Sequence, residues 1–393
     1  MLRIGTLGSA RISQAALIEP AASVPEVIVA AAAARDLPRA EAYALRHGLE
    51  KAYGSYEELL ADPDIDAVYN PLPNSLHGPW TLQAIAAGKH VLCEKPFASN
   101  ADEAAQVAEA ASASGLVVME AMHYRYHPLI QRLAEVVGEL GPVRHIQCWT
   151  SFAITNPGDI RYDYGLAGGA LMDGGCYALD CLRLLGASDG QSKPSVTGAL
   201  ADPVGVAAGG AVADRSLAAR LAFPGGALMD GGCYAIDCLR FLGAGDGQSE
   251  PSVTGALADP VEFASGGVVA DRSLAARLAF PGGATGWFES TFTRDGEFRA
   301  DLHVICEDGL VHLDNFIFPL RGRLTATRDG AVVADEEGGG ESTYVYQLRA
   351  FAAAIASGDP VPTSAQHAAV TMRLIDDAYR AAGLAPRPAE RRG

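Results

Sequence analysis

Three things are scarce or missing in this 393-residue chain, and each absence excludes a class of function. Positive charge is the first: 30 Lys and Arg against 47 Asp and Glu leave a formal net charge of −17. The basic footprint that nucleic acid or an anionic membrane surface requires is therefore lacking, and neither is expected as a partner. Long apolar runs are the second. The stretch from Ala15 to Ala34 is broken by Glu19, Pro20, Pro25 and Glu26, too interrupted to cross a bilayer. The first strand-like run begins at Arg3 without a basic segment, apolar core and small-residue cleavage site before it, so a cytoplasmic protein is expected. A metal or disulfide framework is the third. Cys93, Cys148, Cys176, Cys181, Cys233, Cys238 and Cys306 make an odd count with no Cys-x-x-Cys pair and no neighbouring histidine cluster. The pairs Cys176/Cys181 and Cys233/Cys238 stand five apart on helical segments and diverge around the axis. Buried, reduced thiols and no metal site are expected.

What is present is an apolar content of 49% with 20% charged residues, ordinary for a globular enzyme long enough to build two cores. Over residues 1–122, short apolar runs (Arg3–Leu7, Val27–Ala31, Ala67–Tyr69, His90–Cys93, Val117–Met119) alternate with helical spacing over 40–47, 79–87 and 100–114. That alternation specifies an α/β fold with a doubly wound parallel sheet. Over residues 123–393 the texture changes to longer alternating strands such as 143–149, 286–292 and 298–305. These specify an α+β domain with an open, mainly antiparallel sheet, closed by helices over 344–357 and 365–382 and a frayed end from Pro386.

Within the second half, Gly168–Pro224 recurs as Gly225–Pro281 with 49 of 57 positions identical. Two copies are too few for a solenoid, so this reads as a tandem duplication, with the Gly-Gly-Ala stretches at 168–170, 225–227 and 282–284 marking the joints. Removing one copy leaves a 336-residue chain with an uninterrupted order of elements.

The residues that carry chemistry sit at the ends of the parallel strands. Lys95, in Glu94-Lys95-Pro96 after the run His90–Cys93, presents an amine at a strand's carboxyl end, where open parallel sheets bind their ligands, and Glu94 beside it is a candidate cofactor contact. The first turn, Gly5-Thr6-Leu7-Gly8-Ser9-Ala10-Arg11-Ile12, is a variant of the Gly-rich fingerprint whose small residues and helix start admit a pyrophosphate, with Ala10 in place of the third glycine. Arg35, just before Asp36 after the second strand, would pair with a 2′-phosphate and favours NADP over NAD; the alternative is an exposed Arg35 and a capping Asp36. Asn74 and His77 follow the third strand and would lie beside the nicotinamide, or Asn74 would cap a helix. His123 and Arg125, in the cluster Glu120–Pro128 at the crossover between domains, are candidate substrate contacts, whereas His127 is better read as structural. Asp173 and Tyr177 are four apart and share a helix face, as do Asp230 and Tyr234 in the second copy. A carboxylate and a phenol beside Lys95 can relay the proton of an alcohol during hydride transfer.

Together the Gly-rich turn, Glu94-Lys95-Pro96, Glu120-Ala121 with Tyr124–Pro128, and Gly-Gly-Ala-Leu-Met-Asp-x-Gly-Cys-Tyr resemble the glucose-fructose oxidoreductase / inositol dehydrogenase (Gfo/Idh/MocA) family over nearly the whole chain outside the extra copy. The resemblance implies an NAD(P)-binding Rossmann domain, an open sheet used for homo-oligomer contacts, and hydride transfer to or from a sugar or cyclic polyol. Trans-dihydrodiol oxidation is the runner-up activity, and a catalytically silent nucleotide-binding protein the non-enzymatic alternative. It further implies that Lys95 is the family's lysine, that Asp173 or Asp230 is its carboxylate and Tyr177 or Tyr234 its proton donor, and that Arg161 touches substrate. Only one helix can fill the slot. In the implied topology 274–280 turns tightly through Pro281-Gly282-Gly283 into 285–292, which favours the second copy, Asp230 and Tyr234. The duplicated chain is expected to be less stable than a form lacking 57 residues.

Overall fold

The structure, a computed structural model, describes residues 1–156, 158–186, 195–204, 270–280, 284–293 and 298–388. Six parallel strands form the first sheet in the order β3-β2-β1-β4-β5-β6: β1 (Leu2–Leu7), β2 (Val27–Ala33), β3 (Lys51–Tyr53), β4 (Ala67–Asn70), β5 (His90–Cys93) and β6 (Val118–Glu120). Their apolar runs are buried on both faces, as a sheet covered by helices on each side demands. After β1 a π-helical stretch, Gln14–Ile18, leads into α1 (Glu19–Ala21). The crossovers that follow are α2 (Leu37–His47), α3 (Tyr56–Ala61), α4 (His77–Ala86) and α5 (Ala101–Ser114). Side chains start three of them: Asp36, Ser55 and Asn100 accept from the amides of Arg39, Glu58 and Glu103, a contribution of about 1 kcal/mol each.

The second sheet has eight strands in the order β14-β13-β12-β11-β7-β10-β9-β8. These are β7 (Val143–Ala153), β8 (Ser195–Val204), β9 (Ala270–Ala279), β10 (Thr285–Thr293), β11 (Arg299–Cys306), β12 (Leu310–Leu313), β13 (Arg323–Arg328) and β14 (Ala331–Glu337). All its neighbours are antiparallel except β7 and β10. Helices α6 (Pro128–Glu139) and α7 (Cys176–Leu185) pack on it, and α8 (Thr343–Ser357) and α9 (Ala365–Ala381) close the chain. The strict alternation of burial along β11 shows one face on the core and one left half-covered.

The recurring segment is resolved in an unanticipated way. α7 and β8 come from the first copy, whereas β9 comes from the second, and Val204 pairs with Ala270. Residues 213–222 of the first copy have the same sequence as 270–279, so the strand's own contacts cannot choose between them. Connectivity does. The helix that follows Arg161 directly is the first copy's, and the strand that runs directly into β10 is the second copy's. Keeping both short connections confines the extra length to the β8–β9 link, and closing even an unstructured link eight times longer costs only about 2 kcal/mol.

The parallel sheet and closing helices follow the sequence expectation, with β3 and α3 added. The carboxyl tail does not fray at Pro386. Arg387 is buried, donates through Nε to the Gly168 carbonyl at 2.6 Å and lies over the rings of Tyr379 and Tyr164 at 4.1 and 4.8 Å.

Candidate active site

The polarity of the parallel sheet decides where chemistry can occur. β5 ends at Cys93, and Glu94-Lys95-Pro96 follows at its carboxyl edge, with the Lys95-Pro96 peptide cis and Phe97 fully buried behind it. Lys95 Nζ reaches across to the second sheet's helix and donates to Asp173 twice, to Oδ1 and to the backbone carbonyl, each at 2.8 Å. Asp173 sits in a π-helical turn, Leu171–Gly175, at the start of α7. That turn packs flush on the sheet because Gly174 has no side chain: a Cβ there would stand 2.6 Å from Phe152 and 2.7 Å from Ser290 Oγ.

The other oxygen of the same carboxylate, Oδ2, accepts from Arg161 Nε at 2.9 Å, and Arg161 is held in turn by Asp159. One carboxylate thus bridges two cations. Burial works against ionisation of Asp173, but Lys95 and Arg161 outweigh it and hold its carboxyl below the ordinary value. Burial likewise works to lower the Lys95 ammonium, and Asp173 overrides it, so its pKa is raised. Lys95 is therefore a fixed positive donor at neutral pH rather than a base.

One turn along α7, the Tyr177 ring lies with its centroid 5.1 Å from Lys95 Nζ, and its hydroxyl is 3.0 Å from His123 Nε2. Burial, the largest influence, pushes the Tyr177 phenol well above its usual pKa. His123 in turn is stacked on Phe318 at 5.4 Å and tilted against Tyr344 at 4.2 Å. Lysine, aspartate and tyrosine are brought together, and the aspartate and tyrosine are Asp173 and Tyr177. The second-copy pair favoured from sequence, Asp230 and Tyr234, lies outside the described residues.

The remaining candidates divide. Gly8, at φ +86°, makes the tight turn after β1, with Gly5 before it and Ala10, Arg11 and Ile12 leading into the exposed start of the helical stretch. Asp36 takes the capping role, leaving Arg35 exposed beside it. Asn74 Nδ2 donates to the Ala167 carbonyl at 3.0 Å, tying the loop after β4 to the segment before α7. His77 does not face a ligand: it is buried, with both ring nitrogens 2.7 Å from the backbone carbonyls of Pro96 and Leu72. Glu94 is buried too and accepts from Tyr69 Oη at 2.6 Å. Arg125 is committed to Asp180, where Tyr124 Oη and His367 Nε2 also converge, which removes it from substrate contact. His127 caps α6 by accepting from the Leu129 amide.

A cleft of about 530 Å³ beside the Gly-rich turn is lined by Ser9, Arg11, Gln14, Arg39, Tyr43 and Arg46. Arg39 Nε donates to Ser9 Oγ at 2.7 Å, which brings its guanidinium to the turn. Sequence reasoning passed over Arg39. The signal was its place four residues after Arg35 on the exposed face of α2. A glycine at positive φ and a cluster of guanidinium groups fit the phosphates of a dinucleotide. A larger groove of about 980 Å³, near Leu2, Pro25 and Ile355, lies at the amino ends of the strands, away from the edge where such sheets bind ligands.

Fold and site together define a dinucleotide-binding parallel sheet coupled to a second sheet that delivers a carboxylate and a phenol to the first sheet's lysine. A family model described as "Oxidoreductase family, NAD-binding Rossmann fold" matches residues 2–122, and the GFO/IDH/MocA C-terminal domain model matches 130–209 and again 206–312. The chain belongs to the Gfo/Idh/MocA family of oxidoreductases. It is 48% identical over 191 residues to D-xylose 1-dehydrogenase (NADP(+)) 2 of Haloferax volcanii, covering 48% of this chain and 58% of that protein. It is 40% identical over 169 residues to trans-1,2-dihydrobenzene-1,2-diol dehydrogenase of Sus scrofa, covering 42% and 49%. The matches thus span about half the length of these relatives. Among solved structures, the aldose-aldose oxidoreductase of Caulobacter crescentus complexed with glycerol superposes with a TM-score of 0.73 at 23% identity, covering 97% of each chain. The 3-ketoreductase KijD10 of Actinomadura kijaniata with NADP and TDP-benzene does so at 0.71 and 22%, covering 96% of this chain and 97% of that one. At such identities these likenesses speak to the fold.

Proposed function

We propose that the protein is an NADP-preferring oxidoreductase that moves hydride between nicotinamide and the CH–OH carbon of a sugar or cyclic polyol. One observation carries this: at the carboxyl edge of β5, an ammonium fixed by a carboxylate stands beside a buried phenol. A bound nicotinamide supplies or accepts the hydride. Lys95 binds the reacting oxygen and stabilises negative charge as it develops there. Tyr177, neutral at physiological pH, gives its proton to that oxygen in the reductive direction and, as tyrosinate, takes it back in the oxidative one. Asp173 holds Lys95 in place and, through Arg161, ties the loop before α7 to the same point. The turn at Gly5–Ser9 receives the pyrophosphate, and Arg39 and Arg11, with Arg35 nearby, take the 2′-phosphate.

The roles are assigned to Asp173 and Tyr177 rather than Asp230 and Tyr234 because only the first pair follows Arg161 by a short connection. The recurring segment is read as a tandem duplication inserted into a hairpin link, with the domain division near residue 122. A second reading, oxidation of an aromatic ring diol, is favoured by the half-buried rings of Phe318 and Tyr344, which pack on His123 next to the Tyr177 hydroxyl and suit a flat apolar substrate. The half-covered face of the second sheet, with Trp149, Trp287 and His303 in edge contact, supports a homo-oligomer through that sheet. Five buried, unpaired cysteines among the described residues suit a cytoplasmic location, and no described helix is long and apolar enough to cross a membrane. The test is a panel of aldoses, cyclic polyols and ring diols with NADP or NAD, read by the absorbance of the reduced cofactor. Turnover of a pyranose or ring diol with NADP is expected; cofactor binding with no turnover across the panel would overturn the proposal in favour of a silent binding protein.

A further inference from the structure

His123 is placed among candidate substrate contacts by sequence, yet its position fits another task. It opens a 3-10 turn, His123–Tyr126, directly after β6, and is only 1% exposed. Its ring is wedged between Phe318 and Tyr344 and meets Tyr177 edge-on at 5.6 Å. The next residue, Tyr124, anchors the same turn to α7 through Asp180 at 2.6 Å, so turn and helix are tied at two neighbouring points. Nε2 faces the Tyr177 hydroxyl at 3.0 Å, while Nδ1 is buried with no hydrogen-bond partner among the described residues.

That asymmetry selects a tautomer. A neutral imidazole carries one N–H and one bare nitrogen. Burial, reinforced by the charge of Lys95, pushes the His123 pKa down to about 3, so the ring is neutral. Were the proton on Nδ1, a buried N–H would go unsatisfied; on Nε2, only a lone pair does. Orphaned donors are the rarer and costlier case. We infer that His123 is a positioning residue for the proton-carrying tyrosine: its Nε2–H donates to the Tyr177 hydroxyl oxygen, turning the phenol's own proton toward the cleft and steadying the phenolate left behind.

This rests on Tyr177 being the proton carrier. In the reductive direction the Tyr177 O–H bond breaks and the O–H bond of the product alcohol forms, while the carbonyl carbon is reduced by hydride from the reduced nicotinamide. The tyrosinate oxygen then keeps the His123 N–H. The other ionisable groups around the phenol are Lys95 and Glu94 from the loop after β5, Tyr69 from β4, Tyr124 from the turn that holds His123, Asp173 and Cys176 from its own helix, and Tyr344 from α8. Of these only Lys95 carries positive charge, and it is held by Asp173. His123 is thus the neutral hydrogen-bond donor that stabilises tyrosinate.

The experiment compares the pH dependence of kcat for alcohol oxidation in wild type, His123→Phe and His123→Gln, alongside ¹⁵N spectra of histidine-labelled protein without ligands. In wild type the His123 Nε2 signal is expected to be that of a protonated nitrogen. Losing one hydrogen bond to the phenolate is expected to move the rise of kcat upward by about one pH unit in His123→Phe, with KM nearly unchanged, and His123→Gln is expected to recover part of the shift through its amide donor. Spectra showing the proton on Nδ1, or a folded His123→Phe protein with an unmoved pH profile, would overturn the inference. Tyr177→Phe separates the two levels. If it retains wild-type turnover, the assignment of Tyr177 fails; if it abolishes turnover while His123→Phe leaves the profile unmoved, only the role of His123 fails. Should His123→Phe not fold, the spectra and His123→Gln still decide.

Discussion

Replacing Asp173 with Asn keeps the shape of the side chain and removes its charge, leaving two cations where one carboxylate had bridged them. Lys95 and Asp173 are 14% and 15% exposed, so this pair is close to a buried one, whereas Arg161 at 42% is largely wet. Removing one partner of a buried pair costs about 3–5 kcal/mol, and the exposed arm adds under about 1 kcal/mol. Lys95 keeps its bond to the Asp173 backbone carbonyl and the Asn oxygen still accepts, so about 2–3 kcal/mol is expected, or a fall in Tm of roughly 2–4 °C for a chain of this length. The pH dependence has a definite sign. The depressed carboxyl of Asp173 contributes stability that is present above its unfolded value and lost as pH falls through the folded one. The raised Lys95 contributes stability present below its unfolded value and lost as pH rises through the folded one. The difference in Tm between wild type and Asp173→Asn should therefore stay level between about pH 5 and 9 and narrow toward acid. With Lys95 no longer held, turnover should fall on the order of a hundredfold. Thermal melts across pH and steady-state kinetics read both. A variant melting within about a degree of wild type with unchanged turnover would refute the placement of this carboxylate.

Arg39→Ala, which removes a guanidinium from the cleft at the Gly-rich turn, should raise KM for NADP roughly tenfold or more while leaving KM for NAD nearly unchanged, since only the first carries the 2′-phosphate. Glu120 is buried, and burial outweighs the nearby Phe97 amide and Arg183 to push its pKa up to about 8. The native protein therefore holds a proton that the unfolded chain releases, and stability should fall by up to about 1.4 kcal/mol per unit as pH rises from about 5 to 8. Glu120→Gln should flatten that slope in urea titrations. Deleting residues 205–261 joins Val204 to Glu262 and removes one repeat length, so the shortened protein should keep turnover and melt no lower than the full chain.

Much of this architecture was legible because it rests on local patterns. Small and β-branched runs ending in Gly8, Arg35, Asn70 and Lys95 mark parallel strands and the edge where they open. The edge strand β3 was missed because Lys51–Tyr53 is only three residues long. At the site, Lys95 and the Asp and Tyr four residues apart on a helix were legible from type and spacing, but the copy favoured from sequence was the second, Asp230 and Tyr234, whereas it is Asp173 and Tyr177 that stand beside Lys95. His77, Glu94 and Arg125 could not be sorted, because whether a polar side chain faces a cleft or a buried partner depends on contacts distant in sequence: Arg125 meets Asp180, 55 residues away. Weighing the two copies as whole alternatives overlooked a third solution, in which the chain takes the helix of one and the last strand of the other. Near-identical sequences offer no local cue to that choice, and the connections on either side make it.

The most direct measurement is a pair of separate substitutions, Tyr177→Phe and Tyr234→Phe, assayed for NADP-dependent oxidation of the best substrate in the panel. The two tyrosines occupy equivalent positions in the repeat, so each variant is the other's control. Loss of turnover in Tyr177→Phe with full activity in Tyr234→Phe is expected. Loss in Tyr234→Phe alone would contradict the placement of the phenol beside Lys95, and full activity in both would contradict the tyrosine's part in the chemistry.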